Sequence, residues 1–178
     1  MCAKLLRNVE IKARLTGKEQ WQQLIELASN LTKSKGEIIL QRDIFFHSKQ
    51  GRLKLRYLLH KKSELIYYDR PDVGGPKLSS FHKVDLEDPE TMEQMLDKSI
   101  GTKGKVQKER YLFLHEGTRI HLDNVDGLGY FLEFEAVLKP DESVESGEKR
   151  LHDLLQVFNI PKENLMEGAY MDELMKND

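Results

Sequence analysis

Apolar and polar positions alternate with a period of two along several short stretches of the chain. In the stretch 52–57, three basic residues alternate with Leu53, Leu55 and Tyr57. Successive side chains of a β-strand point to opposite faces, so this pattern predicts strands with one apolar and one charged face. The predicted strands cover Leu5–Leu15, Ile38–Phe46, Arg52–Tyr57, Glu64–Arg70, Leu78–Val84 and Val106–Leu114, and a hairpin covers Arg119–Ala136.

Three other stretches repeat their apolar residues at the spacing of a helix. The first helix is predicted over about Lys18–Leu31, with Trp21 and Leu24 on its apolar stripe. A short helix begins at Asp88-Pro89, and the last helix covers about Ser143–Phe158. The short helix carries an apolar stripe, expected to pack in the core, of Met92, Met95, Leu96 and Ile100. The segment Gly101–Lys105 is predicted to be a loop, and the docking residues expected in the tail are Leu165, Tyr170 and Leu174.

The charged faces of the predicted strands carry more bases than acids. The nine bases are Lys12, Arg14, Arg52, Lys54, Arg56, Arg70, Lys108, Arg110 and Arg119. The four acids are Glu10, Asp123, Glu133 and Glu135. Periodicity alone favours an open sheet whose charged face lies in water. A closed barrel with a charged interior gives the same alternation, and the abundance of arginine and carboxylate on these faces favours that alternative.

A charged interior restricts what the barrel could bind. Two like charges about 4 Å apart repel by roughly 4 kcal/mol at an effective dielectric constant near 20. Several inward bases therefore require carboxylates among them, together with water or a bound polyanion. Phosphate chains suit such a site because arginine binds them through two parallel hydrogen bonds and lysine serves as a point charge. The acids would then hold Mg²⁺ or Mn²⁺, which prefer oxygen ligands.

Composition limits the remaining possibilities. The 178 residues are expected to form a single domain spanning 1–178. The formal net charge of -2 gives no overall basic surface for nucleic acid, and no apolar run is long enough to cross a membrane. The lone Cys2 cannot form an internal disulfide, which favours a reducing compartment. The sequence therefore predicts a soluble cytoplasmic protein.

Several short motifs occur in an order that resembles a known family. The first strand contains Asn8-Val-Glu10-Ile-Lys12, where the family has Glu-x-Glu-x-Lys. The later blocks are Arg52-Leu-Lys-Leu-Arg56, Tyr-Tyr-Asp-Arg70, Lys108-Glu-Arg110, His-Leu-Asp123 and Phe-Leu-Glu133-Phe-Glu135. In this order they resemble the CYTH domain, or triphosphate tunnel metalloenzyme, family, in particular its branch of class IV adenylyl cyclases. Thiamine triphosphatases and inorganic tripolyphosphatases belong to the same family.

The resemblance implies an α+β fold: a closed eight-stranded antiparallel β-barrel with helices packed on its outside. It implies an enzyme that binds a small-molecule triphosphate or nucleotide with Mg²⁺ or Mn²⁺. The implied catalytic residues are Lys12, Glu133 and Glu135, and the implied metal ligands are Glu10, Asp123, Glu133 and Glu135. The implied phosphate-binding residues are Lys12, Arg52, Lys54, Arg56, Arg70, Lys77, Lys108, Arg110 and Arg119.

Three functions are compatible with these residues: a metal-dependent phosphohydrolase, an adenylyl cyclase that makes cyclic AMP from ATP, and a non-catalytic protein that binds phosphate chains. The third is included because Asn8 replaces the first glutamate of the family motif. An amide oxygen carries no full charge, so we expect weaker metal binding at that position. His121 is a candidate general base, although a histidine between two apolar strand residues is more often structural. Oligomeric state is not predicted.

Overall fold

The computed structural model describes residues 5–177 and consists of eight strands, four α-helices and one 3-10 helix. The strands are β1 (Leu6–Arg14), β2 (Glu37–Phe46), β3 (Arg52–Leu58), β4 (Ser63–Asp69), β5 (Lys77–Leu86), β6 (Thr102–His115), β7 (Thr118–Val125) and β8 (Gly129–Val137). The helices are α1 (Lys18–Thr32), α2 (Pro89–Ile100), α3 (Val144–Val157) and α4 (Tyr170–Asn177), with the 3-10 helix at Lys162–Asn164.

The strands close into a barrel in the order β1-β5-β4-β3-β2-β6-β7-β8, and every neighbouring pair is antiparallel. This confirms the eight-stranded barrel with helices outside and decides against the open sheet. Closure depends on β1, which pairs with β5 on one side and β8 on the other. Because the charged faces point inward, the apolar faces are available to the helices.

The main hydrophobic core therefore lies outside the barrel, between its wall and two helices. Trp21 and Leu24 of α1 and Leu151 of α3 pack in one cluster with Val9 and the other outward apolar residues of β1, β7 and β8. At Gly147, a Cβ atom would lie 2.8 Å from a methyl carbon of Val9, closer than van der Waals contact allows. Glycine at this position thus lets α3 approach the strand.

Two expectations about the region around α2 were wrong. Met92 and Leu96 pack against β2 and β3 as predicted, but Met95 is 60% exposed and Ile100 is 42% exposed. The apolar stripe is therefore narrower than the sequence suggests. The predicted loop Gly101–Lys105 is mostly strand, because β6 begins at Thr102 and continues the pairing with β2.

The tail of the chain closes one end of the barrel. Tyr170 and Met171 at the start of α4 pack against barrel residues at that end, including Phe45, Val106 and Phe131. Gly104 of β6 lies directly beneath Met171, where a Cβ atom would come closer to the methionine methyl carbon than van der Waals contact allows. The docking residues Leu165 and Leu174 also pack against the core clusters. In the described part of the chain, no helix is both long and apolar enough to span a membrane.

Candidate functional site

The barrel encloses a cavity of about 270 Å³, near the lower end of the roughly 300–1,000 Å³ typical of small-molecule sites. Nine basic and five acidic residues line it. The bases are Arg7, Lys12, Lys54, Arg56, Arg70, Lys83, Lys108, Arg110 and Arg119, and the acids are Glu10, Asp43, Glu64, Glu133 and Glu135. The cavity therefore carries an excess of positive charge, although the whole chain is slightly negative.

One group of charges is organised by Asp43 on β2, which is only 4% exposed. Its carboxylate accepts a hydrogen bond of 2.9 Å from Lys54 Nζ and two hydrogen bonds, of 2.9 and 3.0 Å, from the Arg56 guanidinium. Gln41 donates a further hydrogen bond to it. Because Lys54 and Arg56 are two residues apart on β3, both point inward, and Asp43 lies opposite Arg56 in the strand register. The aspartate thus fixes both cations at the cavity wall.

A second group has the same construction on β6 and β7. Lys108 and Arg110 are two residues apart on β6, and Asp123 of β7 lies opposite Arg110. Asp123 is fully buried; it accepts hydrogen bonds of 2.8 Å from Lys108 and of 2.6 and 2.7 Å from Arg110. The hydroxyl of Tyr170 donates to the same carboxylate at 2.9 Å. This last bond connects the charged interior to the helix that closes the barrel.

Glu133 links the second group to the first strand. One of its oxygens lies 3.2 Å from Lys12 Nζ, and the other accepts a 2.7 Å hydrogen bond from Arg110. His121 Nδ1 lies 3.1 Å from the same oxygen as Arg110. The Lys12 ammonium also lies 4.0 Å from the centre of the Tyr170 ring, within cation–π range. The cavity end next to α4 is therefore a connected network of ion pairs.

Farther from α4, the carboxylates are less fully paired. Glu135 Oε1 accepts hydrogen bonds from Arg119 and from the Asn8 amide, while Glu135 Oε2 accepts none from the residues described. Glu10 is bound through its Oε1 to Arg70, and its second oxygen likewise accepts no hydrogen bond within residues 5–177. Glu10 and Glu135 are direct cross-strand partners, so these two carboxylates lie side by side.

Burial changes the proton affinity of the lysines in the two Asp-centred groups. Burial, together with the neighbouring Arg56, lowers the pKa of Lys54 to about 8. Burial and the neighbouring Arg110 lower the pKa of Lys108 to about 7. For Asp123, burial alone would raise the pKa, but Arg110 and Lys108 outweigh it and hold the pKa well below its usual range. The aspartates therefore stay ionised at neutral pH, whereas Lys108 loses much of its charge as the pH rises through about 7.

Residues 6–170 match the family model of the CYTH domain. The chain belongs to the CYTH domain family. A Methanocaldococcus jannaschii protein described as "Putative adenylate cyclase MJ0240" is 27% identical over 179 residues, covering 93% of this chain and 97% of that protein.

Solved structures show the same fold at lower identity. The PH1012 protein from Pyrococcus horikoshii OT3 superposes with a TM-score of 0.78 at 21% identity, covering 93% of this chain and 98% of that one. The Mimivirus capping enzyme triphosphatase superposes with a TM-score of 0.60 at 14% identity, covering 87% of this chain and 89% of that one. Both structures therefore share the barrel fold of this chain although their sequences are distant from it.

Three residues assigned from the CYTH resemblance lie outside the cavity lining. Arg52 is directed to the α4 side of the barrel, where it binds Asp72 and Asp172 at 2.7 Å each. Lys77 donates hydrogen bonds to the carbonyl oxygens of residues 166 and 167, which fastens the segment before α4. Asp123 lies behind Lys108 and Arg110 instead of facing the cavity. The remaining bases and acids predicted for the site do line the cavity.

Arg14 and His121 also lie outside the lining. Arg14 is half-exposed and pairs with Glu173 of α4. His121 is buried behind Glu133, and burial together with Arg110 lowers its pKa. His121 therefore orients Glu133 and does not face the cavity as a general base would.

The carboxylates of the cavity suit a divalent cation only in part. In residues 5–177, no three or more His, Cys, Asp or Glu side chains are grouped closely enough to hold a metal ion. The physical reason is pairing, since Glu133 binds Lys12 and Arg110 through both of its oxygens. Glu10 and Glu135, however, are adjacent and each has one oxygen without a hydrogen bond. Carboxylate oxygens are the ligands that Mg²⁺ prefers, and it commonly binds one or two of them together with substrate phosphates. This pair therefore fits the ion better than the four-residue set predicted from the sequence.

Sequence reasoning missed Asp43, three other charged lining residues (Arg7, Glu64 and Lys83) and the apolar part of the lining. Asp43 was not recognised because it follows Gln41 and Arg42 in a strand that otherwise ends in apolar residues. The alternation could have identified it, since Gln41 and Asp43 are two residues apart and therefore lie on the same face of the strand. The missed apolar part of the lining includes Phe81 and Ile66.

Proposed function

We propose that this protein is a metal-dependent phosphohydrolase that acts on a linear triphosphate or a nucleoside triphosphate. The observation that supports this most directly is the pair of Asp-centred cation groups. Each aspartate holds one lysine and one arginine toward the same enclosed cavity. Such a preorganised set of donors suits phosphoryl transfer, where catalysis depends mainly on positioning and charge stabilisation.

The cavity residues fall into two roles. The bases would bind the phosphate oxygens and stabilise the negative charge that develops on the leaving group. They are Lys12, Lys54 and Lys108, with Arg56 and Arg110 beside them. Glu10 and Glu135 would hold a divalent ion through the carboxylate oxygens that accept no hydrogen bond from residues 5–177. The chemistry that such an ion supplies when bound is polarisation of a phosphoryl oxygen and orientation of water.

Glu135 has a second task within this arrangement. Its Oε1 is anchored by Arg119 at 2.9 Å and by Asn8, which fixes the direction of Oε2. A fixed, unpaired carboxylate oxygen can accept a hydrogen bond from water and orient it toward phosphorus. Lys12, at the side of Glu133, lies on the neighbouring strand and would hold the phosphate group under attack.

Cyclisation of ATP is the second candidate, supported by the name of the Methanocaldococcus jannaschii relative. It would use the same grip on the triphosphate, but the nucleophile would be the ribose 3′-hydroxyl instead of water. A product analysis separates these reactions. ATP, tripolyphosphate and thiamine triphosphate are incubated with Mg²⁺ or Mn²⁺, and products are identified by phosphorus NMR.

Release of orthophosphate that depends on the divalent ion is the result expected for a hydrolase. Formation of cyclic AMP with pyrophosphate would favour the cyclase instead. Tight binding of triphosphates by calorimetry without any product would refute both and leave a phosphate-chain binding protein.

A further inference from the structure

One aromatic ring of the cavity lining contacts lysines from two separate strands of the barrel. The centre of the Tyr170 ring lies 4.0 Å from Lys12 Nζ of β1 and 4.9 Å from Lys108 Nζ of β6. Strands β7 and β8 lie between β1 and β6 in the barrel order. Tyr170 therefore joins two cations that belong to strands without direct pairing.

Apolar packing alone does not explain a tyrosine at this position. The ring centre lies 4.7 Å from that of Phe131, and a phenylalanine would make the same contact. Tyr170 is only 6% exposed, yet its hydroxyl donates a hydrogen bond to Asp123 Oδ2, the oxygen that also accepts from Lys108. A buried hydroxyl requires a partner, and here that partner is the anion that holds one of the two lysines. The ring and the hydroxyl of Tyr170 thus contact the same network of charges.

The chain before Tyr170 is fastened to the strand that carries Lys12. The backbone N–H of Met166 donates a 2.8 Å hydrogen bond to the carbonyl oxygen of Lys12. Leu165 forms an isolated antiparallel bridge with Ala13. The ring is therefore brought to the Lys12 ammonium by a segment that is anchored on Lys12 itself.

An aromatic face holds a cation without neutralising it. Within residues 5–177, the Lys12 ammonium forms one ion pair, with Glu133 at 3.2 Å. A second carboxylate would hold Lys12 more firmly, but it would also cancel positive charge that a phosphate chain needs. The negative face of an aromatic ring attracts the ammonium while the ring itself has no net charge. Tyr170 can therefore orient Lys12 and leave its charge available to an anion.

We infer that Tyr170 is a positioning residue for phosphate binding, whose ring face fixes the Lys12 and Lys108 ammonium groups before a phosphate chain arrives. This inference rests on the proposed function and deepens it, because it concerns the same cavity. Cations that are already in place lose less conformational freedom on binding and need no reorganisation during the reaction. The ring should therefore affect the affinity for phosphate chains and not only the packing of α4.

The test changes the electrostatics of the ring while its shape stays nearly constant. Tyr170→Phe is the reference, and it is compared with three versions that carry one, two or three fluorine atoms on the phenylalanine ring. Fluorine withdraws electrons from the ring face and weakens its attraction for a cation, whereas apolar packing is retained. The Kd of tripolyphosphate is measured by calorimetry without divalent ions, and KM and kcat are measured with Mg²⁺.

The Kd should rise with each fluorine and reach roughly five- to tenfold above that of Tyr170→Phe with three. The KM of tripolyphosphate should rise in parallel. The kcat should fall along the same series, because Lys12 would hold the phosphate group under attack. A residue that only fills space would show no dependence of Kd on the number of fluorine atoms.

Tyr130 on β8 provides the matched control. It packs against Trp21 in the hydrophobic core outside the barrel, with 5.2 Å between the ring centres, and it does not line the cavity. The same fluorinated series at position 130 should leave Kd and KM unchanged. If Tyr170→Phe fails to fold, fluorinated tyrosines at position 170 keep the hydroxyl bond to Asp123 and give the same comparison.

The outcomes for this inference and for the proposed function can be told apart. Values of Kd that agree within about 1.5-fold across the series at position 170, or that rise equally at position 130, overturn the inference and leave the hydrolase intact. Absence of product from every substrate, with Kd still rising with fluorine, overturns the hydrolase and supports the positioning role. A wild type that does not bind tripolyphosphate overturns both.

Discussion

Replacing Asp123 by asparagine tests whether this residue is a buried counter-ion or a metal ligand. The substitution keeps the shape of the side chain and removes the negative charge that faces Lys108 and Arg110. At an effective dielectric constant of about 20, a pair of unit charges 2.8 Å apart, the separation of Lys108 Nζ and Asp123, attracts by about 6 kcal/mol. Desolvation offsets part of this, and breaking a buried ion pair typically costs about 3–5 kcal/mol.

We therefore expect Asp123→Asn to lower the free energy of unfolding by about 3–5 kcal/mol. In urea, with a slope of about 2–3 kcal/mol per molar, the midpoint should fall by roughly 1–2 M. The matched control is Asp126→Asn. Asp126 is an exposed aspartate in the turn between β7 and β8, and its substitution should leave the urea midpoint unchanged. Both measurements are made without divalent ions.

A polyanion should compensate for the missing carboxylate. Tripolyphosphate brings negative charge to the same lysine and arginine, so it should raise the urea midpoint of Asp123→Asn by more than that of the wild type. A midpoint within 0.3 M of the wild type, a shift corresponding to roughly 1 kcal/mol or less, would refute the counter-ion role. If that result came with a weaker dependence on Mg²⁺, the metal-ligand assignment made from the sequence would be supported instead.

Three other substitutions test separate parts of the site. The pKa of Lys108 is lowered to about 7, and a bound triphosphate favours the charged lysine, so the affinity for triphosphate should be highest below pH 7 and fall as the pH rises through that value. Lys108→Arg keeps its charge, so the KM of this variant, measured from pH 6 to 9, should rise less steeply with pH than that of the wild type. Parallel pH profiles of KM for the two proteins would contradict this. Glu135→Gln should abolish metal-dependent phosphate release with little change in the thermal midpoint, and an unchanged Mn²⁺ titration of activity would rule out Glu135 as a ligand. Asn8→Glu places a third carboxylate beside Glu10 and Glu135, so Mg²⁺ should raise the thermal midpoint of this variant more than that of the wild type; equal increments would show that position 8 does not contact the ion.

The number of strands and their charged faces could be predicted because a period of two is a local property. A side chain's face on a strand depends only on whether its position is odd or even, so the sequence alone predicts that Lys54 and Arg56 share a face. Whether that face lies in water or inside a barrel depends on the pairing of β1 with β5, a contact between distant parts of the chain. Periodicity does not contain this information, and the order of the family motifs supplied it.

Residues at the ends of strands were predicted least well. Arg52 has the same parity as Lys54, yet it lies at the end of β3 next to α4, where Asp72 and Asp172 bind it. Lys77 has the parity of the cavity row of β5 and still turns to the carbonyl oxygens before α4. Parity defines a face but not a depth along the barrel. The helix that closes the barrel captures the bases nearest to it, and its position followed from no pattern within the strands.

The two Asp-centred groups show what a register adds to a pattern. A lysine and an arginine two residues apart occur at Lys54-Leu-Arg56 and at Lys108-Glu-Arg110, and the sequence reveals both. In each case an aspartate on the adjacent strand lies opposite the arginine, and β2 and β6, which carry Asp43 and the second pair, are themselves neighbours. The repeated construction means that each pair of cations keeps its own buried anion when no substrate is bound. Repulsion between the pairs is thereby reduced, and the lysines and arginines are held in place before a phosphate chain arrives. Sequence reasoning on such barrels should therefore look first for an aspartate on the inward face of a strand that pairs with a Lys-x-Arg strand.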